Sequence, residues 1–290
     1  MSHRRSLPLT VLFCLFFPLA LVAADTKTPP AKLTAAQIVE KNVAARGGLQ
    51  AWRAVQSMSW TGKMDAGGGD STARSRDFVM GKRHHPTKTE LMGKKNAEKD
   101  EANKQVQLPF VMEMKRPRKS RVEIEFAGKT AIQVYDGSSG WKLRPFLNRN
   151  EVEPFTAEEL KSEAAKSDLD GPLVDYAAKG TKVELEGSEP VEGRNAYKLK
   201  LTMKSGTVQH VWIDAENFLD VKVEGTPRRM DGKMHNVSIY QREFRPVQGV
   251  MIPFILETAV DGYPSTHKMI IEKAVVNPKL DDTVFAKIRQ

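Results

Sequence analysis

From Met58 to the C-terminus one pattern recurs: apolar and polar residues alternate with a period of two. Val122, Ile124 and Phe126 fall on one side of their segment, and Arg121, Glu123 and Glu125 on the other. Tyr197, Leu199, Leu201 and Met203 alternate with Lys198, Lys200 and Thr202 in the same way. Such segments bury one face and wet the other. About ten of them, punctuated by turns such as Asp136-Gly137, predict one large, highly curved antiparallel sheet or barrel. Strands do not alternate with helices, so a parallel α/β fold is not expected.

Two helical regions interrupt the strands. Thr34-Ala35-Ala36-Gln37 is a capping box; Ile38, Val39, Val43 and Ala44 follow at helical spacing, and Gly47-Gly48 closes the helix. Leu49 to Val55, with Trp52, reads as a short second helix. Thr156-Ala157-Glu158-Glu159 is a second capping box, with Leu160 and Ala164 on one helix face. Leu169 to Ala178 suggests a further short helix, broken by Gly171-Pro172 and ended by Gly180. Arg76 to Met80 fits a strand. Residues Lys82 to Lys104 are basic and poor in large apolar side chains, which predicts a long loop.

The N-terminus is read separately. Arg4 and Arg5 precede an almost wholly apolar run from Leu7 to Ala24, which ends in Val22-Ala23-Ala24. This is the layout of a signal peptide spanning residues 1–24 and cleaved after Ala24, with residues 25–290 as the mature domain. The single cysteine, Cys14, lies in the leader behind Phe13 rather than a small residue, so it does not fit a lipid-attachment site. The mature chain then has no disulfide and no thiolate chemistry. The whole chain carries a formal charge of +9, of which the leader's two arginines supply two, leaving +7. That charge favours anionic surfaces such as lipid headgroups or acidic partners. Export and the scatter of basic residues over many turns argue against nucleic acid.

Catalytic and metal motifs are missing from the sequence. His84-His85 sit in the basic loop, and His210 lies on a strand beside Trp212. Neither makes a ligand set with acids at metal spacing. Gly137-Ser138-Ser139-Gly140 lacks the spacing and the following helix of a nucleophile elbow, and no phosphate loop or dinucleotide fingerprint occurs. A non-enzymatic role, without cofactor or metal, is expected.

Several stretches carry a family likeness. They are Ala36-Gln37-Ile38-Val39 through Gly47-Gly48 and Ala51-Trp52; Lys115-Arg116-Pro117 with Asp136-Gly137 and Gly140-Trp141; Gly171-Pro172 through Tyr176; Val211-Trp212-Ile213-Asp214; Gly249 through Pro253; and Val276-Asn277-Pro278 to Val284-Phe285. In this order and spacing the sequence resembles the LolA/LolB-like periplasmic carriers that sort lipoproteins to the bacterial outer membrane. It is most similar to their longer outer membrane lipoprotein-sorting branch. The resemblance implies a mainly β fold with covering helices, in which one strongly curved antiparallel sheet forms a half-open barrel. It implies a periplasmic monomer that shields acyl chains of lipids or lipoproteins, touches membranes transiently, and works between an inner-membrane transporter and an outer-membrane acceptor. It supplies no catalytic residues. The loop at Lys82–Lys104 departs from the compact carriers.

On that basis the cavity wall is assigned to Val122, Ile124, Phe126, Tyr197, Leu199, Leu201, Met203 and Trp212, and the inner side of a lid to Leu160, Leu169, Leu173 and Tyr176. Lys115, Arg116, Arg118 and Lys119 are assigned to headgroups or an acidic partner. Alternation alone equally fits an ordinary core for the apolar set and a solvated turn for the basic one. Hiding one chain of about 14 methylenes is worth on the order of 11 kcal/mol, and the twelve methionines suit an adaptable lining. The alternative function is a periplasmic sensor on the same fold, reporting envelope stress through a partner.

Overall fold

The computed structural model describes residues 33–66, 105–145 and 149–289. The leader, the strand expected at Arg76–Met80 and the loop Lys82–Lys104 lie outside these residues.

Helix α1 (Ala35–Ala45) starts at the expected capping box. The Thr34 hydroxyl accepts from the Gln37 amide, and Gln37 Oε1 accepts from the Thr34 amide at 2.9 Å. Gly47 and Gly48 follow with φ of 111° and 91°, and α2 (Leu49–Ala54) begins. A Cβ on Gly47 would collide with the backbone carbonyl of Gly249. Glycine is therefore what lets the helix end meet the sheet, where the Met251 amide donates to the Arg46 carbonyl at 2.9 Å.

Among the described residues thirteen strands form one antiparallel sheet. They are β1 (Ser57–Ala66), β2 (Val106–Lys115), β3 (Lys119–Phe126), β4 (Lys129–Tyr135), β5 (Gly140–Arg144), β6 (Arg149–Pro154), β7 (Lys182–Val191), β8 (Arg194–Thr202), β9 (Val208–Asp214), β10 (Asp220–Met230), β11 (Lys233–Val247), β12 (Val250–Val260) and β13 (His267–Val276). The order is β6-β5-β4-β3-β2-β1-β13-β12-β11-β10-β9-β8-β7. Two meanders are thus joined where β1 pairs with β13, and no pairing links the edge strands β6 and β7 among the described residues. The sheet is open, as expected, and has more strands than the alternation suggested. The missed strand β6 lies in Arg149–Pro154, where Asn150, Glu151 and Glu153 leave little apolar signal.

Because every neighbour is antiparallel, the turns fall on two rims. The β2–β3, β4–β5, β7–β8, β9–β10 and β11–β12 turns lie on one, here the helix-side rim. The β3–β4, β5–β6, β8–β9, β10–β11 and β12–β13 connections lie on the other, the far rim, with the ends of β1 and β2 at Ala66 and Val106.

Both helices of the N-terminal unit pack on one face. Ile38 and Val39 cover Leu199, Leu201, Val211 and Ile213, while Trp52 joins Met58, Phe110, Met114, Val250, Ile252 and Phe254. Val43 touches both clusters, so this face is the concave one. Helix α3 (Ala157–Lys166) is capped by Thr156 and Glu159 as predicted. It is tied to the sheet by Lys142 Nζ to Glu159 at 2.5 Å and Ser120 Oγ to Glu163 at 2.9 Å. The stretch after it is not the short helix expected: residues 169–180 form consecutive turns. Gly171 at φ 75° and Asp175 at φ 52° are left-handed, which a helix does not accommodate. A 3-10 turn, Asp282–Phe285, packs by β3 with Phe285 buried.

Candidate functional site

The site is best read row by row across the concave face, because antiparallel partners on one face stand side by side. Nearest the helix-side rim, Val276, Met58, Met114, Ser120 and Tyr135 form a row across β13, β1, β2, β3 and β4. All five are buried, at 1–6% exposure. The row of Ala274, Trp60, Met112, Val122 and Gln133 follows. Its apolar members are half-buried and Gln133 is exposed. A row containing Leu256, Met269, Met64 and Leu108 comes nearer the far rim, again half-buried. Between these two rows Ile271, Phe110 and Ala131 are buried and Ile124 is half-buried. Among the described residues cover is therefore complete beside the helices and uneven towards the far rim. Among the described residues the less covered part of this face is a shallow apolar trough, with buried Ile271 and Phe110 and half-buried Ile124 at its floor and half-buried Trp60, Met64, Met112 and Met269 along it. Unbranched thioethers reshape at low cost, as a lining for variable hydrocarbon requires. The Trp60 indole nitrogen is buried in this trough and has no hydrogen-bond partner among the described residues.

The residues assigned from sequence divide into groups. Val122 and Ile124 do stand on the trough, and Phe126 stands at the far rim, 40% exposed. Leu199 and Leu201 are at 0% exposure beneath Ile38, Val39 and Leu173, so they are packed interior. Tyr197 and Met203 fringe that same cluster, and Tyr197 stacks on Phe218 at 6.2 Å. Trp212 is not with them. Leu199 pairs with Val211 and Lys198 with Trp212, so Trp212 projects from the opposite face. There its indole donates to Glu189 at 2.5 Å, and the Lys222 ammonium lies 3.6 Å from its ring centroid.

Of the lid residues, Leu169 packs on the Trp52 cluster and Leu173 and Tyr176 on the Leu199 cluster. Leu160, half-buried on α3, belongs to neither. The segment carrying the other three is fastened through one buried carboxylate, Asp170, held by two half-buried cations. Arg116 Nη2 donates to Asp170 at 2.6 Å, and Lys179 Nζ donates to the other oxygen of that carboxylate at 2.6 Å. Burial opposes ionisation of Asp170, but the bonds from Lys179 and Arg116 outweigh it and hold the carboxyl below its ordinary range.

The basic turn is engaged internally. Lys115 and Lys119 both pair with Asp282, at 2.8 and 3.1 Å, and hold its carboxyl low; Arg116 pairs with Asp170. Arg118 sits at the turn's tip, exposed, with φ 106°. Sequence reasoning missed Trp60, Met64, Met112 and Met269, although Met58-x-Trp60 and Phe110-x-Met112-x-Met114 carry the same alternation.

A separate cleft of about 320 Å³ lies at the helix-side rim between the β7–β8 turn, the start of β10 and β11. Its lining is mixed: Glu192, Arg194, Asp220, Arg242 and Glu243 are charged, and Val191, Leu219, Val221 and Phe244 are apolar. Among the described residues no group of three or more His, Cys, Asp or Glu side chains is placed to hold a metal.

An open antiparallel sheet with helices laid on its concave face is the class of protein that this geometry defines. No family model and no curated protein matches the sequence. Solved structures match the fold. A LolA superfamily protein from Nitrosomonas europaea is 16% identical with a TM-score of 0.51, over 88% of this chain and 99% of that one. A DUF1329 family protein from Desulfovibrio piger is 12% identical with a TM-score of 0.54, over 88% and 98%. A domain assigned to outer membrane lipoprotein sorting in Vibrio parahaemolyticus is 12% identical with a TM-score of 0.52, over 86% and 95%. The chain has the LolA-like fold.

Proposed function

We propose that this protein is a non-catalytic periplasmic carrier, exported with its leader removed after Ala24, that shields acyl chains of lipids or lipoproteins on their way to the outer membrane. The observation that carries this reading is the uneven cover of the concave face among the described residues: a methionine-lined apolar trough at which Trp60, Met64, Met112 and Met269 stay only half-buried. Contiguous apolar surface of that kind marks a binding site. The fold shared with lipoprotein-sorting structures supports the same reading. Each methylene laid in the trough contributes about 0.8 kcal/mol, so an open-sided groove that covers part of a chain binds reversibly where a closed cavity would trap it. The donor is an inner-membrane transporter and the acceptor an outer-membrane component, each engaged in turn by a monomer.

Solvent extraction of protein purified from its own envelope, followed by mass spectrometry, tests this. The expected result is copurifying acyl lipid that is lost in Met112→Lys, whose charge lies among Trp60, Val122 and Ile124, with an unchanged melting temperature. A wild-type protein that carries no lipid and takes up none from micelles overturns the proposal.

A further inference from the structure

The far rim carries a projection that the carrier reading does not use. Strand β9 pairs with β10 only as far as Val211↔Val223, and β12 reaches β11 only at Val260↔Val237. The β10–β11 ladder runs on alone through Arg228↔His235, Arg229↔Met234 and Met230↔Lys233. It closes at Asp231-Gly232, both left-handed at φ 49° and 78°, the tight turn that suits a twisted ribbon. A two-stranded ribbon standing off its sheet is marginal in water. This one is braced at its base: His235 Nδ1 meets the Asp261 carbonyl at 2.9 Å, the His235 and Tyr263 rings meet edge to face at 5.2 Å, and the Tyr263 hydroxyl donates to Asp231.

The ribbon's surface has two chemistries side by side. Met234 is 55% exposed, the most exposed large apolar side chain among the described residues, and Arg228, Arg229 and Lys233 around it are exposed. Val208 at 46%, Val106 at 43% and Phe126 at 40% stand on the same rim. Of the exposed large apolar side chains described, only Val111 lies elsewhere. Lys129, Lys182, Lys204 and Lys268 are exposed along this rim too. The acids facing them are fewer: Glu125; Glu184, paired with Lys200; Asp65, which accepts from the Gln107 side chain and the Lys268 backbone amide; and Asp231 and Asp261, whose carboxylates take the Tyr263 hydroxyl and the Asn236 amide. On the opposite rim several cations are matched within the chain, Lys115 and Lys119 by Asp282, Arg116 by Asp170, Arg194 by Asp214 and Arg245 by Glu243, while Arg118 stays exposed at the β2–β3 tip.

We propose that the β10–β11 ribbon and the far rim dock on an anionic lipid bilayer, with Met234 entering the headgroup boundary and Arg228, Arg229 and Lys233 meeting phosphates. Apolar side chains interleaved with cations are what the bilayer interface binds. The proposal rests on the carrier reading and deepens it: Met64 and Leu108 place the less covered part of the trough beside this rim, so docking would bring its mouth to the membrane.

The test is flotation of the full chain with vesicles of phosphatidylethanolamine and phosphatidylglycerol, against vesicles of phosphatidylcholine alone. A basic residue at an anionic surface is worth about 5-fold in binding, so Arg229→Glu with Lys233→Glu lowers the partition coefficient on the anionic vesicles by at least about 20-fold. Lys161→Glu with Lys287→Glu makes the same change in net charge away from the rim and leaves binding within a few-fold of wild type. Met234→Ser weakens binding without altering its dependence on salt. Wild-type binding that ignores phosphatidylglycerol, or equal loss in the two charge-reversed pairs, overturns the proposal. Lipid extraction of the same variants keeps the two claims apart. A rim variant that holds its lipid but fails to float supports docking. A wild type that floats yet holds no lipid supports docking and sinks the carrier reading.

Discussion

Leu199→Glu leaves no stably folded protein. Leu199 is at 0% exposure, enclosed by Ile38, Val39 and Leu173 above and by Leu201, Val211 and Ile213 around it. Losing the leucine costs about 2–3 kcal/mol of apolar burial, and a carboxylate at that position adds several kcal/mol with no cation to receive it. A domain of ordinary stability holds about 5–15 kcal/mol in total, so the substitution consumes most or all of it. Leu199→Ala is the graded version, at about 2–5 kcal/mol. Urea denaturation followed by circular dichroism measures both. A Leu199→Glu protein with the wild-type midpoint would mean that this side chain faces an opening, and the interior described above would be wrong.

Arg116→Met is the second large effect. The guanidinium donates to the Val55 carbonyl at 2.7 Å, to the Trp52 carbonyl at 3.1 Å and to Asp170 at 2.6 Å. Two carbonyls at the end of α2 and a carboxylate only 3% exposed therefore lose a partner together. Breaking a buried pair on one side costs about 3–5 kcal/mol, and since Lys179 still holds Asp170 the expected loss is about 3 kcal/mol. The effect has a pH signature. Asp170 ionises more readily folded than unfolded, so its contribution is fully present above the unfolded carboxylate pKa of about 3.9. It is lost as pH falls through the lower folded value. The gap between wild type and Arg116→Met is thus widest above about pH 4 and narrows on acidification. Urea midpoints across a pH series check this. A gap that stays constant into acid would assign the loss to packing rather than to the ion pair.

How far the sequence spoke for the structure depended on the range of each interaction. Most described strands, the Thr34 and Thr156 capping boxes and the Gly47-Gly48 stop are local, and they stand where the alternation and the capping residues put them; β6, with little apolar signal, was missed. A further exception among local features is residues 169–180, where Leu169 to Ala178 suggested a short helix. The left-handed Gly171 and Asp175 instead fold the segment into turns, fastened by Arg116 and Lys179. Facing was harder to read than pairing. In β9 the residues from Val211 to Asp214 are all buried, so hydrophobicity alone does not say which side of the strand is the inner one. Only the Leu199↔Val211 register places Trp212 outside. The basic turn looked free because its main counter-ion, Asp282, lies 167 positions from Lys115. Core and trough were likewise indistinguishable in the sequence. Leu199 and Ile124 follow the same alternation, yet α1 covers Leu199 completely while Ile124 stays half-buried among the described residues.

Trp60 gives the most direct measurement of the trough as an acyl site, since it lines the trough and is one of four tryptophans. Titrating the delipidated protein with a fatty acid brominated in mid-chain should quench indole emission saturably, with most of the quenching absent in Trp60→Phe. Quenching that persists in full without Trp60, or an emission that the brominated chain leaves untouched, would contradict an acyl chain lying there.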